Sequence, residues 1–234
     1  QWIGVPGDSR QHYIPRMEWA ENSEQLLIQQ LNRQQNQNQL YLAQTHSGDV
    51  TPVLTEHDAA WVDIHDELYW VAGGKYFTWI SERDGWRHAY LVSRAGDAMR
   101  LLTPGEFDVI RLLHVDEDGD AIYFIASPSN ASERFLYRAD LDGSAVQSVT
   151  PANETGVHTY QFSSNSQWAI HQMSSADSPP RTELVSIPDH RQVRMLEANS
   201  KLAKRVAQLD RSPTEFFSVD IGNGVKLDAW CIKP

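Results

Sequence analysis

Several features that organise other proteins are scarce or missing in this chain. A single cysteine, Cys231, stands among 234 residues, which leaves no intrachain disulfide and no cysteine-rich zinc site to be made. It falls in a strand-like apolar run, Leu227 to Ile232, where a lone cysteine reads as a small buried apolar residue. No stretch comes near the roughly 18 consecutive apolar residues of a membrane-crossing helix. Basic residues are the minority charge, 20 Lys and Arg against 31 Asp and Glu for a net charge of -11. Without a basic cluster there is nothing to grip a phosphate backbone, so nucleic acid is excluded as a partner. The acidity reads as a solubility feature. The first residue is Gln1 rather than Met, and no basic stretch followed by an apolar one opens the chain. The expectation is therefore an internal boundary within a longer protein. Two Asn-x-Ser/Thr triplets, at Asn130 and Asn153, carry little weight without a known compartment.

The short motifs of catalysis are missing as well. An α/β-hydrolase needs Gly-x-Ser-x-Gly, because the crowded turn that carries its serine tolerates little but glycine. Gly7-Asp8-Ser9 begins such a pentapeptide, but Gln11 stands where the second glycine belongs. There is no His-Glu-x-x-His, no Walker A loop, no Gly-x-Gly-x-x-Gly and no Ser-x-Asp-x-Gly-x-Thr-Trp box. Asp116-Glu117-Asp118-Gly119-Asp120 has carboxylates at alternate positions, as a hard cation would want. Its glycine is misplaced for an EF-hand loop and no bidentate glutamate follows at the right distance, so it reads as a solvated turn. His57, Asp58, His65 and Asp66 form the one local His/Asp grouping. A metal site of that kind wants turn or helix spacing with a third ligand nearby, and these residues read instead as loop polar groups. Asn32 to Asn36 is a dense polar cluster after the apolar Leu26 to Leu31 strand. It is either a plain polar loop or the place where Arg33 reaches back into a polar network. No residue is assigned as catalytic, cofactor-binding or metal-binding, and no cofactor is expected.

What the chain does contain is a repeat, and a repeat decides a fold before any motif does. Glu18 to Gln29 returns as Tyr69 to Ile80, as Leu113 to Phe124 and as Tyr160 to His171. Each copy is an apolar or aromatic residue, a polar turn, then a β-branched or aromatic run. A second half follows each. Leu40-Tyr-Leu-Ala leads through Ser47-Gly48-Asp49 to Val53-Leu54-Thr55. Ala89-Tyr-Leu-Val leads through Ala95-Gly96-Asp97 to Leu101-Leu102-Thr103. Phe135-Leu-Tyr-Arg turns at Asp142-Gly143-Ser144, and Glu183-Leu-Val-Ser turns at Pro188-Asp189-His190. Corresponding positions recur about every 45 to 50 residues, the spacing of four-stranded propeller blades. Alternation buries one face of each strand, and the Gly-Asp and Asp-Gly pairs supply the positive φ of tight hairpins. A β-sandwich also has short strands at regular turns, but it would not repeat one two-hairpin unit four times.

These residues predict an all-β chain: a partial β-propeller of about four four-stranded blades, roughly 13–56, 66–104, 107–151 and 157–198, with a short C-terminal helix and hairpin. The helix is read over Asn199 to Leu209, with Asn199 as its N-cap. Arg211 to Thr214 ends it, since Pro213 cannot continue a helix. Phe216 to Ile221, the turn Gly222-Asn223-Gly224 and Val225 to Lys233 then read as a hairpin. The domains are 1–198 propeller, 199–213 linker and 214–234 entry strands of a further domain. Four stacked blades leave two end faces uncovered, so self-association or marginal stability is expected.

Certain stretches are familiar. Tyr13-Ile-Pro-Arg-Met-Glu-Trp with Gln30-Leu-Asn-Arg-Gln-Gln-Asn, and above all Ser81-Glu-Arg-Asp-Gly-Trp-Arg-His-Ala-Tyr-Leu, resemble the later propeller blades of dipeptidyl peptidase IV-like serine exopeptidases. Leu102-Thr-Pro-Gly-Glu-Phe-Asp-Val and Glu133 to Gly143 continue the resemblance in the family's order. It implies the second half of an eight-bladed propeller joined to an α/β-hydrolase domain, in a parent that removes N-terminal X-Pro or X-Ala dipeptides. It implies that the hydrolase domain follows Pro234 and carries the catalytic Ser, Asp and His, and that the glutamate pair holding the substrate amino terminus precedes Gln1. In some relatives the loop corresponding to Trp61 through Asp66 approaches the substrate. The expected partners are that covalently linked domain and peptide substrates, and the expected parent is periplasmic or secreted. The alternative is a stand-alone propeller that binds protein or ligand partners without an enzyme attached.

Overall fold

A computed structural model describes residues 1–210 and 212–233. Arg211, which opens the break read after the helix, and Pro234, which ends the last segment, lie outside the described residues. Among the described residues the structure is nearly all β, in four antiparallel four-stranded sheets, a two-stranded sheet and one short helix. It divides into two compact units, 1–122 with 139–146, and 123–138 with 147–234.

The first unit holds two complete sheets. Strands β1 (His12–Trp19), β2 (Gln25–Asn32), β3 (Gln37–Gln44) and β4 (Val50–His57) are paired in chain order. So are β5 (Trp70–Val71), β6 (Tyr76–Ser81), β7 (His88–Ser93) and β8 (Met99–Leu101). Up-and-down pairing in strict sequence order is what short hairpin connections produce. The faces of these two sheets pack together. Ala20, Leu27, Leu40, Leu42, Phe77, Trp79, Tyr90 and Val92 form one buried cluster, with Trp70 and Met99 against its margin. The alternation in each strand supplies this layer, since i, i+2 residues share a face. Each large side chain so buried contributes about 1.5–3 kcal/mol. Arg94 clips the layer at one end. Its guanidinium donates to the carbonyls of Ala20 (3.1 Å) and Gly74 (3.0 Å) and lies 4.7 Å from the Trp70 ring centroid. Ile3 and Val5 cover the other face of the first sheet, against Ile28 and Tyr41. Gly96 stands where a Cβ would fall 1.8 Å from the Val53 carbonyl oxygen, so no other residue fits there.

A third sheet has the order β12-β11-β10-β9, formed by β9 (Val109–Asp116), β10 (Ala121–Ala126), β11 (Phe135–Asp140) and β12 (Val146–Ser148). Every residue of β10 is buried. Its turn with β9 is the acidic stretch read as solvated. There Asp116 accepts from the Gly119 amide (3.2 Å), but Glu117 accepts the Ala72 amide at 2.6 Å and so ties the turn to the neighbouring sheet.

The second unit holds the fourth sheet, β13 (Val157–Phe162), β14 (Trp168–Ser174), β15 (Arg181–Ser186) and β16 (Gln192–Glu197), again in chain order. The helix α1 covers Ser200–Val206, shorter than the run of helix formers suggested. Asn199 stands at the N-cap position, as its sequence context suggests, but its side chain makes no capping bond. Its φ is 49°, and its side-chain amide donates instead to the Pro180 carbonyl at 2.6 Å. A final hairpin pairs β17 (Glu215–Asp220) with β18 (Lys226–Cys231). Cys231 is only partly buried, contrary to the expectation from its apolar neighbours. A two-stranded ribbon has no second layer to cover it, and Phe216, Trp230 and Ile232 beside it are exposed.

Candidate functional site

The first unit carries a cavity of about 390 Å³, lined by Glu56, His57, Asp58, Trp61, Asp63, His65, Ser81, Glu82 and Arg83, among others. Its floor is a charged cluster on the ends of β4 and β6. Glu56 is buried, and its two oxygens accept from the Trp79 indole (2.9 Å) and the Ser81 hydroxyl (2.9 Å). Arg83 closes the cluster, with one guanidinium nitrogen on Glu56 and Nε on Ser81 Oγ at 2.9 Å. The Arg83 guanidinium also lies 5.6 Å from the Tyr90 ring centroid. A buried carboxylate needs this degree of pairing, because an uncompensated charge there would cost several kcal/mol. The Ser81 hydroxyl is thus held between a carboxylate and a guanidinium, not beside an imidazole base.

The cavity wall is the loop between β4 and β5. Asp58 accepts the amides of Ala60 (2.7 Å) and Trp61 (3.2 Å), and these bonds hold its carboxyl below the usual range. Asp63 accepts the Trp61 indole N–H at 2.8 Å. His65 is different from the loop polar group that its sequence context suggested. It is buried edge-on against the Trp79 ring, at 4.8 Å and 85°. Its backbone is pinned by Gln29, which donates to the His65 carbonyl at 2.7 Å and accepts the His65 amide at 3.3 Å. Burial, assisted by the Arg87 charge, pushes the imidazole down to about 4, so it is neutral at physiological pH. Four carboxylates (Glu56, Asp58, Asp63 and Glu82) against one guanidinium (Arg83) give the lining a formal charge of -3. With an exposed indole at Trp61, it suits a cationic or hydrogen-bond-donating group better than an anion.

The other polar concentration lies in the second unit and is sealed. Antiparallel pairing sets Tyr160 of β13 opposite His171 of β14, and His171 opposite Glu183 of β15. His171 Nδ1 stands 2.9 Å from Glu183 Oε1, and its Nε2 stands 2.8 Å from His158 Nδ1. His158 Nε2 is 3.1 Å from the Glu154 carbonyl oxygen. A second chain of bonds runs from Thr150 Oγ1 to the Tyr160 hydroxyl (2.8 Å) and on to His190 Nε2 (2.8 Å). All six of these side chains from Thr150 to His190 are buried. Burial holds the three imidazoles below, and the Tyr160 phenol above, their ordinary pKa values. Glu154, His158 and His171 bring ligand atoms within 4.8 Å of one another. Two imidazole nitrogens on one tetrahedral zinc would stand about 3.3 Å apart given bonds of 2.0–2.1 Å. The 2.8 Å found here is a hydrogen bond, and the Glu154 carboxylate is paired with Arg181 at 2.6 Å.

Comparison with known proteins identifies the family. The family model for the dipeptidyl peptidase IV N-terminal region matches residues 2–180. The chain belongs to that family. Among solved structures it is similar to the dipeptidyl peptidase 4 of Porphyromonas gingivalis, with a TM-score of 0.90, 28% identity and coverage of 99% of this chain and 32% of that one. Among curated relatives it is similar to a probable dipeptidyl peptidase 4 of Emericella nidulans, 24% identical over 94% of this chain. It is similar also to the dipeptidyl peptidase 4 of Trichophyton rubrum, 24% identical over 84% of this chain. The chain spans 30% and 26% of the length of those two relatives. The partial-propeller fold and the family resemblance read from the sequence both hold.

Of the residues singled out in this dipeptidyl peptidase IV N-terminal region, the fold brings His57, Asp58 and His65 to one cavity. Asp66 turns elsewhere and pairs with Arg16 at 3.1 Å. Asn32 and Asn36 bond to each other at 2.7 Å across the β2–β3 turn, and Arg33 lies 5.5 Å from the Tyr13 ring centroid, which makes this cluster a closed polar loop. Sequence reasoning passed over Glu56 and Arg83, which are 27 residues apart, and the whole histidine network. The network did leave a signal. His158, Tyr160, His171 and Glu183 occupy inward positions of strands whose other inward residues, Ala169 and Val185, are apolar.

Proposed function

We propose that this chain is the later half of the propeller of a longer serine-type dipeptidyl peptidase, that it walls the cavity through which short peptides reach the catalytic domain, and that it hydrolyses nothing alone. In this reading residues 1–198 are four blades, 199–213 a linker and 214–234 the first strands of the catalytic domain. The observation that carries it is the agreement with the Porphyromonas gingivalis peptidase over 99% of this chain but only 32% of that one. The acidic cavity over Glu56 and Arg83 then contributes a polar, negatively charged stretch of wall suited to a peptide's donor groups. The absence of a Gly-x-Ser-x-Gly turn and the fixed state of Ser81 favour a supporting rather than a chemical role.

The test is release of a chromophore from Gly-Pro and Ala-Pro reporters by the purified chain beside its full-length parent. Cleavage by the parent alone is the expected result. Activity of this chain that co-purifies with it through a second, orthogonal step would overturn the reading.

A further inference from the structure

The buried chain Glu154–His158–His171–Glu183 can be read proton by proton, because both of its ends are fixed. A backbone carbonyl only accepts, so His158 Nε2, 3.1 Å from the Glu154 oxygen, carries a hydrogen. In a neutral imidazole the other nitrogen is then a bare acceptor. His158 Nδ1 therefore needs a donor, and the one 2.8 Å away is His171 Nε2. With its hydrogen on Nε2, neutral His171 presents a lone pair at Nδ1. That lone pair faces Glu183 Oε1 at 2.9 Å. Two lone pairs do not meet at that distance. One further proton must enter the chain, on Glu183 as a carboxylic acid, on His171 as an imidazolium, or on His158 as an imidazolium with His171 carrying its hydrogen on Nδ1.

Three observations decide where it lies. Glu183 and His171 are essentially inaccessible, and separating charge there would require two desolvated ions. Glu183 Oε2 is buried with no hydrogen-bond partner, which is costly for a carboxylate oxygen and mild for the carbonyl oxygen of an acid. The groups facing the pair are divided. On the His171 side stand the His158 ring, stacked at 5.0 Å, the Tyr160 ring at 4.6 Å and the His190 ring at 4.9 Å, none of them anionic. On the Glu183 side stands Arg181, 3.9 Å away, but its guanidinium is already neutralised by Glu154 at 2.6 Å. Apart from Glu183 itself, no anion in this set faces His171, and the Glu154 carboxylate is already held by Arg181.

We infer that Glu183 is a carboxylic acid in the folded protein, donating its proton to His171 Nδ1, and that this trapped proton makes the β13–β16 sheet a pH-responsive element. The fold holds the proton at pH values where a free glutamic acid has already lost it. Burial raises the Glu183 carboxyl, with Arg181 opposing, which agrees with the geometry. The sign follows from linkage. A carboxyl raised in the fold contributes stability that is present in full below its unfolded value of 4.5 and lost as pH rises through its folded value. Raising the pH places a charge inside the sheet, and lowering it returns the proton.

The test uses infrared difference spectroscopy and the variant Glu183→Gln, whose amide can donate to His171 Nδ1 as the acid does. The wild-type protein at pH 6 should show a carboxylic-acid C=O band that is missing from Glu183→Gln. Between pH 4.5 and 6.5 the unfolding midpoint of Glu183→Gln should rise more steeply with pH than the wild type's, because the variant lacks the proton that opposes the histidines. Should the variant fail to fold, ¹⁵N spectra of the wild type decide the point. A neutral His171 protonated at Nε2 sustains the inference, whereas an imidazolium at His171 or His158 at pH 6, or a neutral His171 protonated at Nδ1, with no Glu183 acid band overturns it.

Discussion

The two units bury polar groups between strands in opposite ways. In the first, Glu56 is paired with a cation: its partners are an indole N–H, a hydroxyl and the Arg83 guanidinium, and the cluster opens onto a cavity. In the second, three imidazoles, a phenol and Glu183 form bonds that balance without a separated charge, and the cluster is closed. The difference follows from solvent. Arg83 keeps about a third of its side chain in water, so the ion pair is only half desolvated. His171 and Glu183 keep none to speak of, and neutral hydrogen bonds are the arrangement that low dielectric permits. A site built on charge can greet a charged ligand, whereas a site built on one shared proton responds to pH.

The contrast is broken most severely by Arg83→Met. It leaves Glu56 charged and buried with its neutral donors only, and the expected cost is about 2–3 kcal/mol, below the 3–5 kcal/mol of a fully buried pair because Arg83 is partly exposed. Urea unfolding at neutral pH measures it through the midpoint at constant slope. A loss under about 0.5 kcal/mol would mean that Glu56 is not the desolvated ion described here.

Acid sharpens the comparison in the second unit. His158, His171 and His190 all have pKa values depressed by burial, His171 to about 3. A depressed base binds its proton first in the unfolded chain, so this part of the stability is present above the unfolded value of 6.5 and falls away as the pH drops below it. The expected slope is up to about 1.4 kcal/mol per pH unit for each histidine that stays neutral. Glu183 acts in the opposite sense above 4.5, so it flattens the wild-type profile relative to that of Glu183→Gln. Chemical denaturation between pH 5 and 8 traces it. His190→Gln should be shallower on the acid limb than the wild type, and equal slopes would remove His190 from the network.

Much of this was legible in the residues. The two-hairpin repeat announces the four-stranded sheets because strand alternation and turn glycines are local signals. Gly96 and Gly143 sit at positive φ in turns that the repeat had marked. The sites were less legible for a physical reason: each is assembled from strands that meet only after folding. Glu56 meets Arg83 across two sheets, and His171 meets Glu183 by register. Neither pairing leaves a short motif. The reverse error is also instructive. The apolar neighbours of Cys231 suggest burial, but the hairpin offers it no second layer, and Asn199 takes the N-cap position while its amide bonds to Pro180.

The smallest expected effect separates two neighbours in the sequence. His65 and Asp66 read as one polar grouping, but His65 is packed on Trp79 while Asp66 pairs with Arg16 in water, both partners being largely exposed. Exposed ion pairs gain little Coulomb energy in high dielectric and lose side-chain entropy, so Asp66→Asn should shift stability by about 0.5 kcal/mol or less. Added salt should erase even that, since screening acts on exposed charges first. His65→Asn removes the ring from the Trp79 edge and should cost distinctly more, with no salt dependence. Equal, salt-sensitive losses at the two positions would show that His65 belongs to the charged wall of the cavity rather than to the core beneath it.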